Sequence, residues 1–292
     1  MTSQALTPSM DGKTCLVTGA TAGIGFIAAR ELARAGARVL LAGRSPQTST
    51  EAAGRIREEI PNADVAPLAA DLASQAEVRR LARDVATATD RLDVLVNNAG
   101  GIWLDRADTG DGVETTLAVN HLAPFLLTNL LLASLRSAPS ARVVNVASGA
   151  HRGVAMDFDD LEGRRRYNGW RAYQRSKLAN ILFTRELAGR LKGDSISVNC
   201  LHPGYVNTRI FRDATWKGAV MRAFARAFAI TPEQGAATTV YLATSPDVAD
   251  VTGEYFVKSR PAVPSRAARD DDAARRLWDV SAAMARLEDA GG

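Results

Sequence analysis

Cysteine, histidine and aromatic residues are all scarce. Two cysteines and three histidines occur among 292 residues, and aromatics make up 6%. Cys15 and Cys200 each fall inside an apolar run and read as buried strand residues, which argues against a disulfide framework. His121, His151 and His202 have no ligand partners at useful spacing, so no metal is expected. No apolar run reaches the roughly 18 residues of a membrane span. Met1 to Met10 has neither the basic nor the apolar region of a secretion signal. The expectation is a soluble, cytoplasmic protein without a membrane anchor. The formal charge of +4 is modest and no aromatic-basic module is present, so no nucleic-acid partner is expected. The densest basic run, Arg164 to Arg166, reads as a solvated loop or as a contact for an anionic group. Linkers, repeats and low-complexity tracts are absent.

What is present is an alternation of short apolar runs with helical patterns. Lys13 to Thr18 reads as a buried strand that runs into Gly19-Ala-Thr-Ala-Gly23-Ile-Gly25 and a helix ending at Arg34. Gly36 stops the helix, and Ala37 to Ala42 is the second strand. A strand, a glycine-rich turn and a helix N-terminus form the context of a dinucleotide site: small residues admit the diphosphate, and free N–H groups meet its charge. The second strand ends at Gly43-Arg44, where an acid would favour a free ribose hydroxyl. Arg44 instead suits a 2′-phosphate, so NADP(H) is expected over NAD(H).

Further strands are expected over Val65–Ala70, Leu92–Asn97, Arg142–Ala147, Ile196–Leu201 and Gly253–Val257, with helices over Thr50–Ile60, Ala73–Ala86 and Val113–Leu135. Asp71 ends the third strand and suits either an adenine amino group or a cap. Asn97-Asn98-Ala99-Gly100 turns at the fourth, where Asn stabilises the turn and also faces the crevice. Residues 149–166 read as an irregular insertion, and 205–230 as an amphipathic lid or a second core-packing helix pair. Thr231-Pro232 starts a helix with an N-cap and a first-turn proline. Residues 268–287 read as a surface helix. The organisation expected is a flexible 1–10, a catalytic domain over 11–260 and a helical extension over 261–292.

In the long pattern from Tyr167 to Leu191, Tyr173 and Lys177 lie at i and i+4 and share a face. A phenol is a poor acid-base group near neutrality, and a neighbouring ammonium lowers its pKa. Alone the pair is a weak signal.

Thr18-Gly19-x-x-x-Gly23-Ile24-Gly25, Asp71, Asn97 to Gly100, Asn120, Ser148, Tyr173-x-x-x-Lys177 and Pro203-Gly204 occur in that order. Over roughly residues 11 to 260 this resembles the short-chain dehydrogenase/reductase family, in its single-domain branch. Asn120 to Thr128, Ser176 to Leu187, Leu201 to Gly204, Thr231 to Gly235 and Arg276-Leu-Trp278 resemble the retinol dehydrogenase, WW-domain oxidoreductase and protochlorophyllide reductase-like group, which is largely NADP-linked. Ala147 stands where that group often has a first serine. The resemblance implies an α/β fold: one doubly wound (Rossmann) parallel sheet of seven strands with helices on both faces. It also implies reversible interconversion of an alcohol and a carbonyl. Tyr173 would be the acid-base, Ser148 would orient the carbonyl, Lys177 would lower the Tyr173 pKa, and Asn120 would hold a relay water. The implied cofactor contacts are Gly19, Thr21, Ala22, Gly23, Ile24, Gly25, Asp71, Leu72, Asn98, Ala99, Gly100, Tyr173, Lys177, Pro203, Val206 and Thr208, with Arg44 completing the set. His202 is read as structural. Trp103, Trp216, Phe224 and Phe228 favour a lipophilic or aromatic small-molecule substrate. A homodimer or homotetramer is compatible with the family, although the C-terminal segment could block pairing. The alternatives are a catalytically silent NADP(H)-binding regulator or scaffold, which retention of both Tyr173 and Lys177 disfavours, and a sugar epimerase or dehydratase, whose larger C-terminal domain is missing here.

Overall fold

The computed structural model describes residues 8–204 and 231–287. Parallel strands buried on both faces need continuous apolar runs, and these supply β1 (Thr14–Thr18), β2 (Arg38–Gly43), β3 (Val65–Ala69), β4 (Val94–Asn97), β5 (Ala141–Val146), β6 (Ile196–His202) and β7 (Tyr255–Val257). With a short edge strand β8 (Arg260–Pro261) added, the sheet order is β3-β2-β1-β4-β5-β6-β7-β8, with β1 to β7 all parallel. Strand order reverses between β1 and β4, so the crevice outside their carboxyl ends is where a doubly wound sheet takes a ligand.

The described residues hold eight strands rather than the expected seven. The extra one, β8 (Arg260–Pro261), pairs antiparallel with β7. Its turn residues, Lys258 and Ser259, both have left-handed φ, at 51° and 58°. That is the backbone of a tight hairpin, built without the glycine or asparagine that normally announces one. Pro261 is tolerated because β8 is an edge.

Helices cover both faces. On one side lie α1 (Gly23–Arg34) and α2 (Pro46–Glu59), and on the other α3 (Gln75–Ala88). The single helix expected over Val113–Leu135 is broken: α4 (Thr115–Leu117), a π turn (Ala118–Leu122), α5 (Ala123–Leu130) and α6 (Leu132–Arg136). Pro124 explains the break, because it has no N–H to return to the carbonyl of Asn120 four residues back. α7 (Gly169–Arg190) begins later than expected, capped by the Asn168 side chain on the Arg171 N–H at 2.9 Å. α8 (Pro232–Thr244) has the expected start: Thr231 and Gln234 form a reciprocal capping box behind Pro232.

The last helix, α9 (Asp271–Met284), is not merely on the surface. Ala274, Leu277 and Ser281 are buried. Trp278 lies over Phe125 and Phe183, with ring centroids 5.0 and 6.0 Å apart. The helix thereby covers parts of α5 and α7. Among the described residues no helix is long and apolar enough to cross a membrane.

Candidate active site

The glycine-rich turn is closed by side chains from β4's end. Asn98 Nδ2 donates to the carbonyls of Thr18 (2.8 Å) and Gly19 (3.2 Å), and Thr18 Oγ1 accepts from the N–H groups of Asn98 and Ala99. Gly19 has φ +65°, and a Cβ there would lie 2.8 Å from Ala99 Cα. A Cβ on Gly25 would overlap Asn98 Nδ2 and the Gly19 carbonyl. The N-terminus of α1 carries no side-chain cap and no acid in its first turn. Its N–H groups are therefore open to an anion. A cradle this narrow above an uncapped helix fits a dinucleotide diphosphate.

At β2's end, Thr21 packs against Gly43 so closely that a Cβ on Gly43 would collide with it. Arg44 follows and is exposed, and among the described residues it has no ion-pair partner. Asp71 is exposed and accepts from the Ala73 N–H at 3.1 Å, while Ser74 caps α3. The capping role of Asp71 thus belongs to the turn rather than to the helix. Leu72 packs at the margin of the core beneath α3.

The expected catalytic residues meet at the carboxyl ends of β4 and β5. Tyr173 is buried. Burial pushes its phenol up to about 12, and Ser148 pulls the other way. Lys177 is also buried and is pushed down to about 8 by desolvation. Its Nζ donates to the Val146 carbonyl at 2.9 Å and sits 5.8 Å from the Tyr173 ring centroid. The contact that lowers the phenol's pKa here therefore comes from Ser148, not from a bond to the ammonium.

Asn120 is fully buried in the π turn. Its Oδ1 accepts from the Gly101 N–H (2.9 Å), and its Nδ2 donates to the Gly101 carbonyl (2.9 Å) and Ser176 Oγ (3.0 Å). Ser176 donates in turn to the Tyr173 carbonyl at 2.8 Å. A Cβ on Gly100 would lie 3.1 Å from Asn120 Oδ1 and 3.4 Å from Lys177 Nζ, so both groups face one small space. His202 accepts the Gly204 N–H on Nδ1 at 3.3 Å, shaping the Pro203-Gly204 turn. Val206, Thr208 and the expected lid, with Trp216, Phe224 and Phe228, lie outside the described residues.

A family model described as short chain dehydrogenase matches residues 13–217. The chain belongs to the short-chain dehydrogenase family. It is 43% identical to human retinol dehydrogenase 14 over 95% of this chain and 88% of that one. Among solved structures, an uncharacterized protein from Mycobacterium paratuberculosis is 34% identical, with a TM-score of 0.78 over 97% of this chain and 96% of that one. The Pseudomonas aeruginosa RhlG/NADP active-site complex is 30% identical, with a TM-score of 0.67 over 85% and 95%. By family the chain is an oxidoreductase of nicotinamide-binding fold.

Two residues stand beside these groups without having been expected there: Trp170, and His151, weighed above only as a metal ligand. Trp170 is 41% exposed, with its ring 5.6 Å from that of Tyr173. Its i−3 spacing from Tyr173 on one helix is a signal that was available. His151 is fully buried against Ser148, and nothing local marks it, because one of its two partners lies at Ser265.

Proposed function

We propose that this protein interconverts an alcohol and a carbonyl on a lipophilic or aromatic small molecule with NADP(H) as cofactor. The observation that carries this reading is the convergence of buried Tyr173 and Lys177 with Asn120, Ser148 acting on the phenol, on the same sheet that carries the uncapped turn. Bound NADPH would supply the hydride to the carbonyl carbon. Ser148 and Tyr173 would both hydrogen-bond the carbonyl oxygen. As the carbon–oxygen π bond opens, the Tyr173 O–H proton passes to that oxygen, and in oxidation the phenolate takes it back. Lys177, still mostly charged at neutral pH, would bind the nicotinamide ribose and return a proton through a water beside Asn120. Gly19, Thr21, Ala22, Gly23, Ile24 and Gly25 would hold the diphosphate, Asn98, Ala99 and Gly100 the ribose side, and Asp71 and Leu72 the adenine.

Preference for NADP(H) rests on Arg44, exposed at the end of β2 and without an ion-pair partner among the described residues. A planar guanidinium suits a 2′-phosphate, and the RhlG relative was solved with NADP. The apolar substrate rests on Trp170 beside Tyr173 and on the relatives' name, retinol dehydrogenase.

The test is cofactor oxidation by purified protein, NADPH against NADH, with aldehydes, ketones and quinones that include retinaldehyde. Tyr173→Phe should lower turnover by about 100-fold or more while NADPH binding changes little. A Phe variant that keeps most of its activity overturns the assignment.

A further inference from the structure

We propose that His151 is a positioning residue for Ser148, and that through it the segment following β8 helps to build the active site. The inference rests on the reading of Ser148 and Tyr173 given above. His151 ends a short 3-10 turn (Gly149–His151) that starts directly after Ser148. Its ring is 0% exposed. Nδ1 lies 2.6 Å from the Ser148 carbonyl oxygen, and Nε2 lies 3.1 Å from the backbone nitrogen of Ser265. A carbonyl only accepts and an amide N–H only donates, so one tautomer satisfies both: Nδ1 carries the proton and Nε2 is bare. The ring is further fixed edge-on to Tyr255 of β7, with centroids 5.2 Å apart.

The consequence falls on the serine. Ser148 Oγ accepts the Ala150 N–H at 3.1 Å, and Ser148 lowers the pKa of the Tyr173 phenol. With its carbonyl held by His151 and its hydroxyl by the Ala150 N–H, Ser148 is tied at both ends of the turn. His151 touches neither the phenol nor Lys177 in any described contact, so it acts through Ser148. A second proton on the ring would oppose the Ser265 N–H. Burial and the neighbouring Arg152 both lower the His151 pKa, against the Ser148 carbonyl, which raises it. Besides Arg152 and Tyr255, the titratable group His202 at the end of β6 lies nearby, and it too is held low, at about 4.

The test compares His151→Phe, His151→Asn and Ser148→Ala with the parent, using NADPH with retinaldehyde and with nonanal. His151→Phe fills the space without a donor. It should lower kcat about tenfold, the worth of one positioning hydrogen bond, leave the KM for NADPH within about twofold, and move the Tyr173-dependent limb of the pH profile upward. His151→Asn, whose Nδ2 can still donate to the Ser148 carbonyl, should recover most of kcat and the parent pH limb. An unchanged kcat and pH limb in His151→Phe, with Ser148→Ala impaired, overturns the positioning role alone. Activity retained by Ser148→Ala would remove the reading of the serine itself, and this inference with it. If His151→Phe does not fold, nitrogen-15 spectra of the parent decide: the Nδ1-protonated tautomer from about pH 6 to about pH 8 supports the role, and the Nε2-protonated form overturns it.

Discussion

Gly25 and the amide of Asn98 share a space that has no room for a Cβ. A Cβ at position 25 meets both Asn98 Nδ2 and the Gly19 carbonyl. Gly25→Ala must therefore displace the amide that holds Thr18 and Gly19, and the turn with it. NADPH affinity should fall by at least about tenfold, roughly 1.4 kcal/mol, measured by fluorescence titration. Unchanged affinity would mean that the turn does not bind the diphosphate. The same scale qualifies the pairing of Tyr173 with Lys177. Sharing a helix face brings the ammonium to 5.8 Å from the ring, yet desolvation dominates both groups: the phenol rises to about 12 and the ammonium falls to about 8. Spacing placed the two residues together, and burial determined their acidity.

Helix α9 shows what an element can do beyond its own sequence pattern. Its buried face meets α7, the helix that carries Tyr173 and Lys177, and Ser281 lies 2.8 Å from Nε2 of His121, the neighbour of Asn120 in the π turn. Leu277 is 1% exposed in the cluster that includes Leu178, Ile181 and Leu182 of α7. Leu277→Ala should cost about 2–5 kcal/mol of stability, measured by urea unfolding, and should speed amide exchange along α7. Parent stability in this variant would show that α9 merely rests on α7.

At the scale of the molecule, burial holds all three histidines below the ordinary imidazole pKa. Burial lowers His121 and His202 to about 4 each, and His151 in the same direction. In the unfolded chain they titrate near 6.5. Between about pH 4 and about pH 6.5 the unfolded state therefore binds more protons, and stability falls as pH is lowered through that window. Unfolding midpoints should drop from pH 7 to pH 5, above the range in which carboxylates titrate. His121→Gln should flatten that slope, and a parent midpoint that is level over the same range would refute the assignment.

The sequence by itself determined the parts whose cause is local. The continuous apolar runs made parallel strands, the glycines made a narrow turn before an uncapped helix, and Thr231 and Pro232 started α8. Tyr173 and Lys177 needed only helical spacing. Pro124 also carried a local signal for the π turn, through the N–H it lacks. Only the tertiary structure decided what depends on distant partners. His151 is fixed by an amide 114 residues away, and His121 by a hydroxyl 160 residues away. β8 is two residues long, too short for any alternation to mark it. The burial that shifts Tyr173, Lys177 and the histidines comes from the packing of elements brought together from across the chain, and no periodicity within one segment encodes it.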